Sequence, residues 1–386
     1  MKICQLTDFV DVGGAGIAAS RIADALMEIE NVEICRISTS ASKNSNKVTF
    51  LENSRKIQLL NLWSQYFKKS YLKRLRDFDI RKQLKKILER EKPDIINVHN
   101  IHSAGWPFTI IQTCLQHSPV SWTLHDCWSF LGSYYKTHSP APTKELKKEL
   151  DAFWRFQHPN LLTATSPSTW MGKEAAKSKW SNSNITAIQN PIPKNFFENK
   201  NVNGCKATLG LSTELPTILV IAGNLNEERK GGGILKSILE SGVTDKAQIL
   251  LIGEGTSIQN KNIKSLGFIN DEITIQIAYH AADLLLHPAP VDNLPNTVAE
   301  SISCGTPILA FKTGGVTEMV FPEKSGWLVE DIETEPMIEK LNTIISDESY
   351  RNLRKSTGEI GLRLFDSKKI GNSYLECFEQ TISRNV

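Results

Sequence analysis

Asp292 and Glu300 bracket the segment Asp292-Asn-Leu-Pro-Asn-Thr-Val-Ala-Glu300, which continues Ser301-Ile-Ser-Cys-Gly-Thr-Pro307. The apolar run ending near His287 reads as a strand, residues 288–294 as a loop, and a helix is expected to begin near Pro295 or Asn296. Slightly more than two helical turns separate the acids, so Glu300 lies nearly in line with groups at that helix's N-terminus. Amides there form a partial positive pole suited to a phosphate or to sugar hydroxyls. A carboxylate such as Glu300 can accept two hydrogen bonds from a vicinal diol, which is what a ribose presents. Alone, the acids read more simply as a solvated pair. The Cys304-Gly305-Thr-Pro307 that follows, with a strand beyond it, makes the pattern specific.

Three further segments could do chemistry. Gly223-Asn224-Leu-Asn-Glu-Glu-Arg229-Lys230-Gly231-Gly-Gly233 follows an apolar run, and its cations suit a diphosphate, Arg by bidentate hydrogen bonds and Lys as a point charge. As a bare pattern it is also an exposed basic loop. Asp11-Val-Gly13-Gly14-Ala-Gly16 allows a tight turn and close phosphate approach. Its spacing is not Gly-x-Gly-x-x-Gly, and Ile37-Ser38-Thr39-Ser40 stands where a dinucleotide site needs an acid, so a dehydrogenase is the least favoured reading. Histidines cluster in His99-Asn100-Ile-His102 and in Thr123-Leu-His125-Asp126-Cys-Trp128. His102 and His138 are read as structural, while His125-Asp126 at a strand end is the better functional candidate.

Apolar runs rich in Ile, Leu and Val must position these groups. They fall at 2–6, 32–39, 95–99, 120–125, 161–166 and 185–189, then at 218–223, 248–253, 264–268, 283–287, 307–311 and 326–329. Helix-length segments separate them, the signature of parallel sheets built from βαβ units. The Pro- and Asn-rich stretch 190–204 reads as a linker, with the boundary near residue 195. The expected fold class is α/β, with two Rossmann-like domains of mainly parallel sheets facing across a cleft. Asp8, His99, His125-Asp126, Ser166, Gly223-Asn224 and His287 all sit where strands end, which is where open parallel sheets bind ligands.

At 386 residues the chain exceeds one ordinary core. No apolar run approaches the roughly 18 to 20 residues that span a bilayer, and no signal-peptide pattern opens the chain, so a cytoplasmic setting is expected. Seven scattered cysteines give no zinc or disulfide framework, and the sequon at Asn184 is then silent. Residues 68–92 carry eleven Lys or Arg against four acids, interleaved with Leu72, Leu75, Phe78, Leu84, Ile87 and Leu88. This stretch suits an anionic membrane surface or a phosphate-bearing acceptor; the alternative is a solvated helix whose apolar stripe packs on its own domain. Asp77-Phe-Asp79 within it imitates a metal motif but reads as incidental. Nothing resembles a nucleic-acid recognition module, so no nucleic-acid partner is expected.

The acid pair and the glycine-proline signature resemble the family 4 glycosyltransferases of GT-B fold, many of which build bacterial capsules, exopolysaccharides and lipopolysaccharides. Their Glu-x7-Glu stands here as Asp292-x7-Glu300, and the more usual Gly-Phe-Gly of the loop as Asn293-Leu294-Pro295. Pro295 cannot donate an amide hydrogen. The resemblance implies a donor site in which Asp292 and the loop at Asn293, Leu294, Asn296 and Thr297 hold the sugar and Glu300 the ribose. It further implies that Arg229 and Lys230, with Gly223 and Asn224, bind the diphosphate, that Gly14 and Gly16 face the donor phosphates, and that Gly267-Phe268 approaches the base. His125 corresponds to the family's sugar-facing histidine. Arg229, Lys230, His125 and Asp292 are thus the nominated catalytic set. Smaller matches are Ser166-Pro-Ser168-x-Trp170, Asn190-Pro-Ile, Gly253-Glu-Gly255 and Gly314-Gly315-Val-x-Glu318. Gly132-Ser-Tyr-Tyr-Lys replaces the subgroup's Gly-Cys-His, so nothing about that insertion carries over.

The expected activity is retaining, metal-independent transfer from a nucleoside diphosphate sugar to a glycan or lipid-linked acceptor, with no cofactor. Domain limits are 1–195 for the acceptor side, 196–366 for the donor side, and 367–386 for a helix returning to the first domain. Alternative readings are a GT-B-like epimerase or phosphorylase, and a catalytically silent partner subunit.

Overall fold

A computed structural model describes residues 1–38, 48–50, 70–155, 161–255 and 260–384. Lys68, Lys69, Thr39 at the end of the expected second strand, and Ser40 after it lie outside the described residues. The chain divides into two compact units, one of residues 1–136, 140–191 and 368–386, the other of residues 137–139 and 192–367.

Among the described residues the first unit holds seven parallel strands, β1 (Lys2–Thr7), β2 (Glu33–Ser38), β3 (Val48–Phe50), β4 (Ile95–Val98), β5 (Val120–Thr123), β6 (Leu162–Ser166) and β7 (Ile185–Ala187), in the order β3-β2-β1-β4-β5-β6-β7. The second holds six, β8 (Thr217–Asn224), β9 (Gln248–Glu254), β10 (Ile263–Ser265), β11 (Leu284–His287), β12 (Ile308–Phe311) and β13 (Gly326–Val329), in the order β10-β9-β8-β11-β12-β13. Both orders run outward from a first strand and then reverse, so each sheet has a switch point, between β1 and β4 and between β8 and β11. Sequence reading finds every strand except β3, which is three residues long and lies at a sheet edge.

Strand alternation explains why the second sheet is covered on both faces. Leu219, Leu250, Ile252, Leu285, Ile308 and Ala310 enter one core, with Tyr279 of helix Glu272–Ala281 and Val298, Ala299 and Ile302 of helix Asn296–Ser303. Their sequence neighbours Ile218, Val220, Ile249, Leu251, Leu284, Leu286 and Leu309 enter the opposite core, against Leu235 and Ile238 of helix Gly232–Glu240 and Leu341 of helix Thr334–Asp347. A strand buried on both faces must be apolar at consecutive positions, which is how these runs read in the sequence.

In the first unit, Ile3, Ile22, Leu26 and Ile95 pack with Ile370, Tyr374 and Phe378 of helix Ser367–Ser383. Helix Ser70–Glu91 buries Ile80, Leu84 and Leu88 and exposes Leu75 and Phe78, so its apolar residues divide between two faces. Asp77 pairs with Arg76 at 2.6 Å and Asp79 accepts from Gln83 at 3.1 Å, so both acids are engaged within their own helix. Among the described residues, no helix is long and apolar enough to cross a membrane.

Candidate functional site

The loops after β8 and β11 leave adjacent strands at the switch point of the second sheet. After β8 a single 3-10 turn, Glu228–Lys230, ends at Gly231, whose φ is +82°. A Cβ at Gly231 would collide with the carbonyl oxygen of Pro288 in the other loop, so glycine lets the two loops meet at their backbones. This brings Lys230 Nζ within 2.6 Å of Asp292 Oδ2. Asn293 N donates to the other carboxylate oxygen at 2.9 Å. Gly315 N donates to the Asp292 carbonyl at 3.2 Å, and neighbouring Gly314, at φ +53°, could not carry a Cβ without striking that carbonyl.

Asp292 is 6% exposed. Burial opposes its ionisation, but Lys230, helped by His287 and Arg229, outweighs burial and holds the carboxyl below the ordinary carboxylate range. His287 Nε2 lies 3.8 Å from Asp292 Oδ2, buried and without a hydrogen bond. Burial pushes this imidazole down to about 4, with Asp292 opposing and Lys230 reinforcing the shift, so it is neutral near pH 7. Arg229 receives its orientation from Glu227 Oε1, which accepts from Nε at 2.9 Å and lies 2.9 Å from Nη2. The arrangement is a fixed cationic pair beside one ionised, desolvated acid.

Glu300 lies in helix Asn296–Ser303 and is 7% exposed. The hydroxyl of Tyr279 donates to its Oε2 at 2.7 Å and sets the carboxylate's orientation. The helix starts from Pro295, which offers no side-chain cap, and the amides of Val298 and Ala299 donate to the Pro295 carbonyl at 3.1 and 3.2 Å. Asn296 and Thr297 are half-buried at this end and Asn293 is buried. The side chain of Leu294 is packed in the core, where an isobutyl group among apolar neighbours gains more than at a polar site, so it is the backbone of this residue that belongs to the loop. Gly223 and Asn224 are exposed at the end of β8, and Phe268, 59% exposed, follows Gly267 at φ +67°. The cationic loop meets Asp292, the first acid of the pair, although the two are far apart in sequence.

In the first unit, helix Gly13–Met27 starts at the glycine loop, with Gly14 exposed and Gly16 buried against the Phe9 carbonyl, from which a Cβ would lie 2.9 Å. His125 is half-buried at the end of β5, and its Nε2 lies 2.8 Å from His99 Nδ1. Asp126 accepts from Trp128 N at 2.9 Å and lies 3.3 Å from His102 Nε2. His102 also stacks on Trp128, with ring centroids 4.8 Å apart. His99, His102, His125 and Asp126 line one small cavity. Tyr279, Asn97, Gln5 and Arg36 escape sequence reading, since each looks like an ordinary core or strand residue.

Two family models match the chain. The one described as Glycosyltransferase Family 4 covers residues 12–196, and the one described as Glycosyl transferases group 1 covers residues 216–347. N-acetyl-alpha-D-glucosaminyl L-malate synthase of Bacillus anthracis is 22% identical over 382 residues, spanning 96% of this chain and 94% of that protein. Sucrose-phosphate synthase from Thermosynechococcus elongatus superposes with a TM-score of 0.77 at 16% identity, covering 99% of each chain. Anabaena HepE, solved in complex with UDP-glucose, gives a TM-score of 0.67 at 16% identity over 98% of this chain and 99% of its own. With both units matched, and with the acid pair and the Arg-Lys loop at one switch point, the chain belongs to the family 4 glycosyltransferases of GT-B fold.

Proposed function

We propose that this glycosyltransferase moves a hexosyl group from a nucleoside diphosphate sugar to a hydroxyl of a glycan or lipid-linked acceptor, with retention at the anomeric carbon, in cell-surface polysaccharide synthesis. The observation that carries the donor reading is the Arg229-Lys230 pair at the second switch point, with Lys230 bonded to the buried Asp292. In the proposed step the bond from C1 to the β-phosphate oxygen breaks while the acceptor oxygen bonds C1 on the same face. The acceptor proton passes to an oxygen of the departing diphosphate. Negative charge grows on that diphosphate, and two cations already held in place by Glu227 and Asp292 meet it without reorganising. Those cations take the role a metal would otherwise have. Glu300, oriented by Tyr279, is the proposed ribose ligand, Asp292 a sugar ligand, and His125 a sugar-positioning group. HepE was solved with UDP-glucose, and a starch synthase of Arabidopsis thaliana, TM-score 0.69 at 14% identity over 99% of each chain, with ADP and acarbose, which supports a nucleoside diphosphate donor.

The first unit supports peripheral contact with an anionic membrane, and with it a lipid-linked acceptor at the inner face. On helix Ser70–Glu91 the exposed Leu75 and Phe78 share a face with exposed Arg74, Lys82, Lys85 and Lys86, opposite the buried Ile80, Leu84 and Leu88. Glu89, 3.7 Å from Lys85, and Asp79, bonded to Gln83, are the acids on that face.

A thermal-shift screen over nucleoside diphosphates and their sugars tests the donor. A ligand at a hundred times its Kd stabilises by about 2.7 kcal/mol, so the true donor stands out from the other bases. Failure of every nucleoside diphosphate to shift the transition refutes the donor site. Anomeric NMR of the product then tests retention. Release of free epimer or sugar phosphate points to an epimerase or phosphorylase, and binding without turnover across acceptors to a silent subunit.

A further inference from the structure

Five polar side chains converge below the end of β4, and their hydrogen bonds leave little freedom. Arg36 Nε, which can only donate, points at Gln5 Oε1 at 3.1 Å, so the Gln5 amide nitrogen faces the other way, donating to the Ala19 carbonyl at 2.9 Å. That same nitrogen lies 3.1 Å from His99 Nε2. Asn97 Nδ2 donates to the Ser121 carbonyl at 3.0 Å and to Thr123 Oγ1 at 3.1 Å, which turns Asn97 Oδ1 toward His99 Nε2 at 2.7 Å. His99 Nε2 therefore stands between a fixed acceptor and a fixed donor. A ring nitrogen has one in-plane site, holding either a hydrogen or a lone pair, so it can satisfy only one of them.

The distances decide which. A lone pair on Nε2 would face the lone pairs of Asn97 Oδ1 at 2.7 Å, the length of a made hydrogen bond. A hydrogen there leaves only the longer 3.1 Å contact to Gln5 unmade, and Gln5 Nε2 keeps its bond to Ala19. Nε2 of His99 thus carries the hydrogen. The ring is fully buried, and burial, together with the charges of His125 and Arg36, pushes its pKa well below the ordinary imidazole value. A neutral ring protonated at Nε2 has its lone pair on Nδ1, which lies 2.8 Å from His125 Nε2. His125 must then donate. Burial also drives His125 down to about 4, with Asp126 opposing and His102 reinforcing, so it too is neutral near pH 7.

We infer that Asn97 and His99 are positioning residues that fix His125 in the Nε2–H tautomer, so that its Nδ1 carries the lone pair. The functional weight of this rests on the proposed sugar-facing role of His125: a hydroxyl meeting Nδ1 has to donate to it, and the ring acts as an orienting acceptor with no proton to give. Arg36, at the far end of the chain of contacts, fixes the Gln5 amide with its nitrogen toward the His99 ring, as the competing donor.

The test is long-range proton–nitrogen correlation NMR on the full chain labelled at its eight histidines, with resonances assigned through His99→Gln and His125→Gln. Both rings are expected as Nε2–H tautomers, unchanged from pH 7 to pH 5.5. Asn97→Ala removes the deciding acceptor and leaves Gln5 as donor to His99 Nε2, so both rings are expected to switch to Nδ1–H. Gln5→Met removes the losing partner and should leave both as in the wild type. A wild-type His125 in the Nδ1–H form overturns the inference, as does an Asn97→Ala protein that folds and keeps Nε2–H on His125. Should Asn97→Ala not fold, the wild-type and Gln5→Met spectra still decide. These spectra stand whether or not the donor screen succeeds, so failure of the relay and failure of the transferase reading are separable.

Discussion

Replacing Lys230 by Met separates the structural from the chemical work of the Lys230–Asp292 pair. Met keeps most of the aliphatic stem and removes the ammonium that lies 2.6 Å from Asp292 Oδ2. Removing one partner of a fully buried ion pair costs about 3–5 kcal/mol. The Asp292 side chain is 8% exposed but that of Lys230 is 26% exposed, and Asn293 N still donates to Oδ1, so about 2–3 kcal/mol is expected near pH 7. The loss should depend on pH. In the wild type Asp292 titrates below its unfolded value, so its ionisation stabilises the fold above about pH 4, and this contribution fades as pH falls through the folded pKa. Without Lys230 the largest charge opposing burial is gone and the carboxyl moves up, with Arg229 and the Asn293 amide still working against the shift. Its ionisation then destabilises the fold as pH rises through the raised value. Urea denaturation at pH 7 and pH 4.5 should therefore show a gap between the two proteins that narrows toward acid. Adding Asp292→Asn to Lys230→Met should recover at least half of the loss. An equal gap at both pH values, or no recovery in the double variant, would refute the electrostatic account and leave only packing.

Arg229→Ala should lower turnover by about 100-fold or more while moving the denaturation midpoint little, because Arg229 is a quarter exposed and pairs with Glu227 two residues away; normal steady-state rates would remove it from the site. Tyr279→Phe deletes the hydroxyl that orients Glu300 and should raise donor KM about tenfold, with kcat nearly unchanged; a selective fall in kcat would instead put Glu300 in the chemical step. Leu75→Ser with Phe78→Ser should halve or more the sedimentation of the protein with phosphatidylglycerol vesicles, whereas neutral phosphatidylcholine vesicles should bind weakly throughout and 0.5 M salt should abolish the difference. Equal binding by the double variant would leave that helix face without a membrane role.

Fold and site were legible in the sequence to different depths. Runs such as Ile-Leu-Leu-Ile at 249–252 announce strands because burial on both sheet faces forbids polar residues there. β3 gives no comparable signal, being three residues of a sheet edge. Asp292 and Glu300 could be read together because one loop and one short helix join them. The bond from Lys230 to Asp292 could not, since it arises from the adjacency of β8 and β11, which is a property of strand order. Tyr279 and Asn97 are hidden for a related reason: their polar atoms gain meaning only from Glu300 and His99, which tertiary packing brings to them.

Helix Ser367–Ser383 has a consequence for how the chain comes to be folded. Its Ile370, Tyr374 and Phe378 sit in one core with Ile3, Ile22 and Ile95, and Thr381 Oγ1 lies 3.1 Å from Thr163 Oγ1 in β6. The first unit is therefore discontinuous: its opening strands are synthesised long before the helix that completes their core. The second unit, formed from an unbroken stretch after residue 191 apart from residues 137–139, can close while the first still waits for its last side chains. During translation the N-terminal sheet must persist half-covered, and a chain truncated near residue 366 would carry a nearly complete second unit and an apolar face still open on the first.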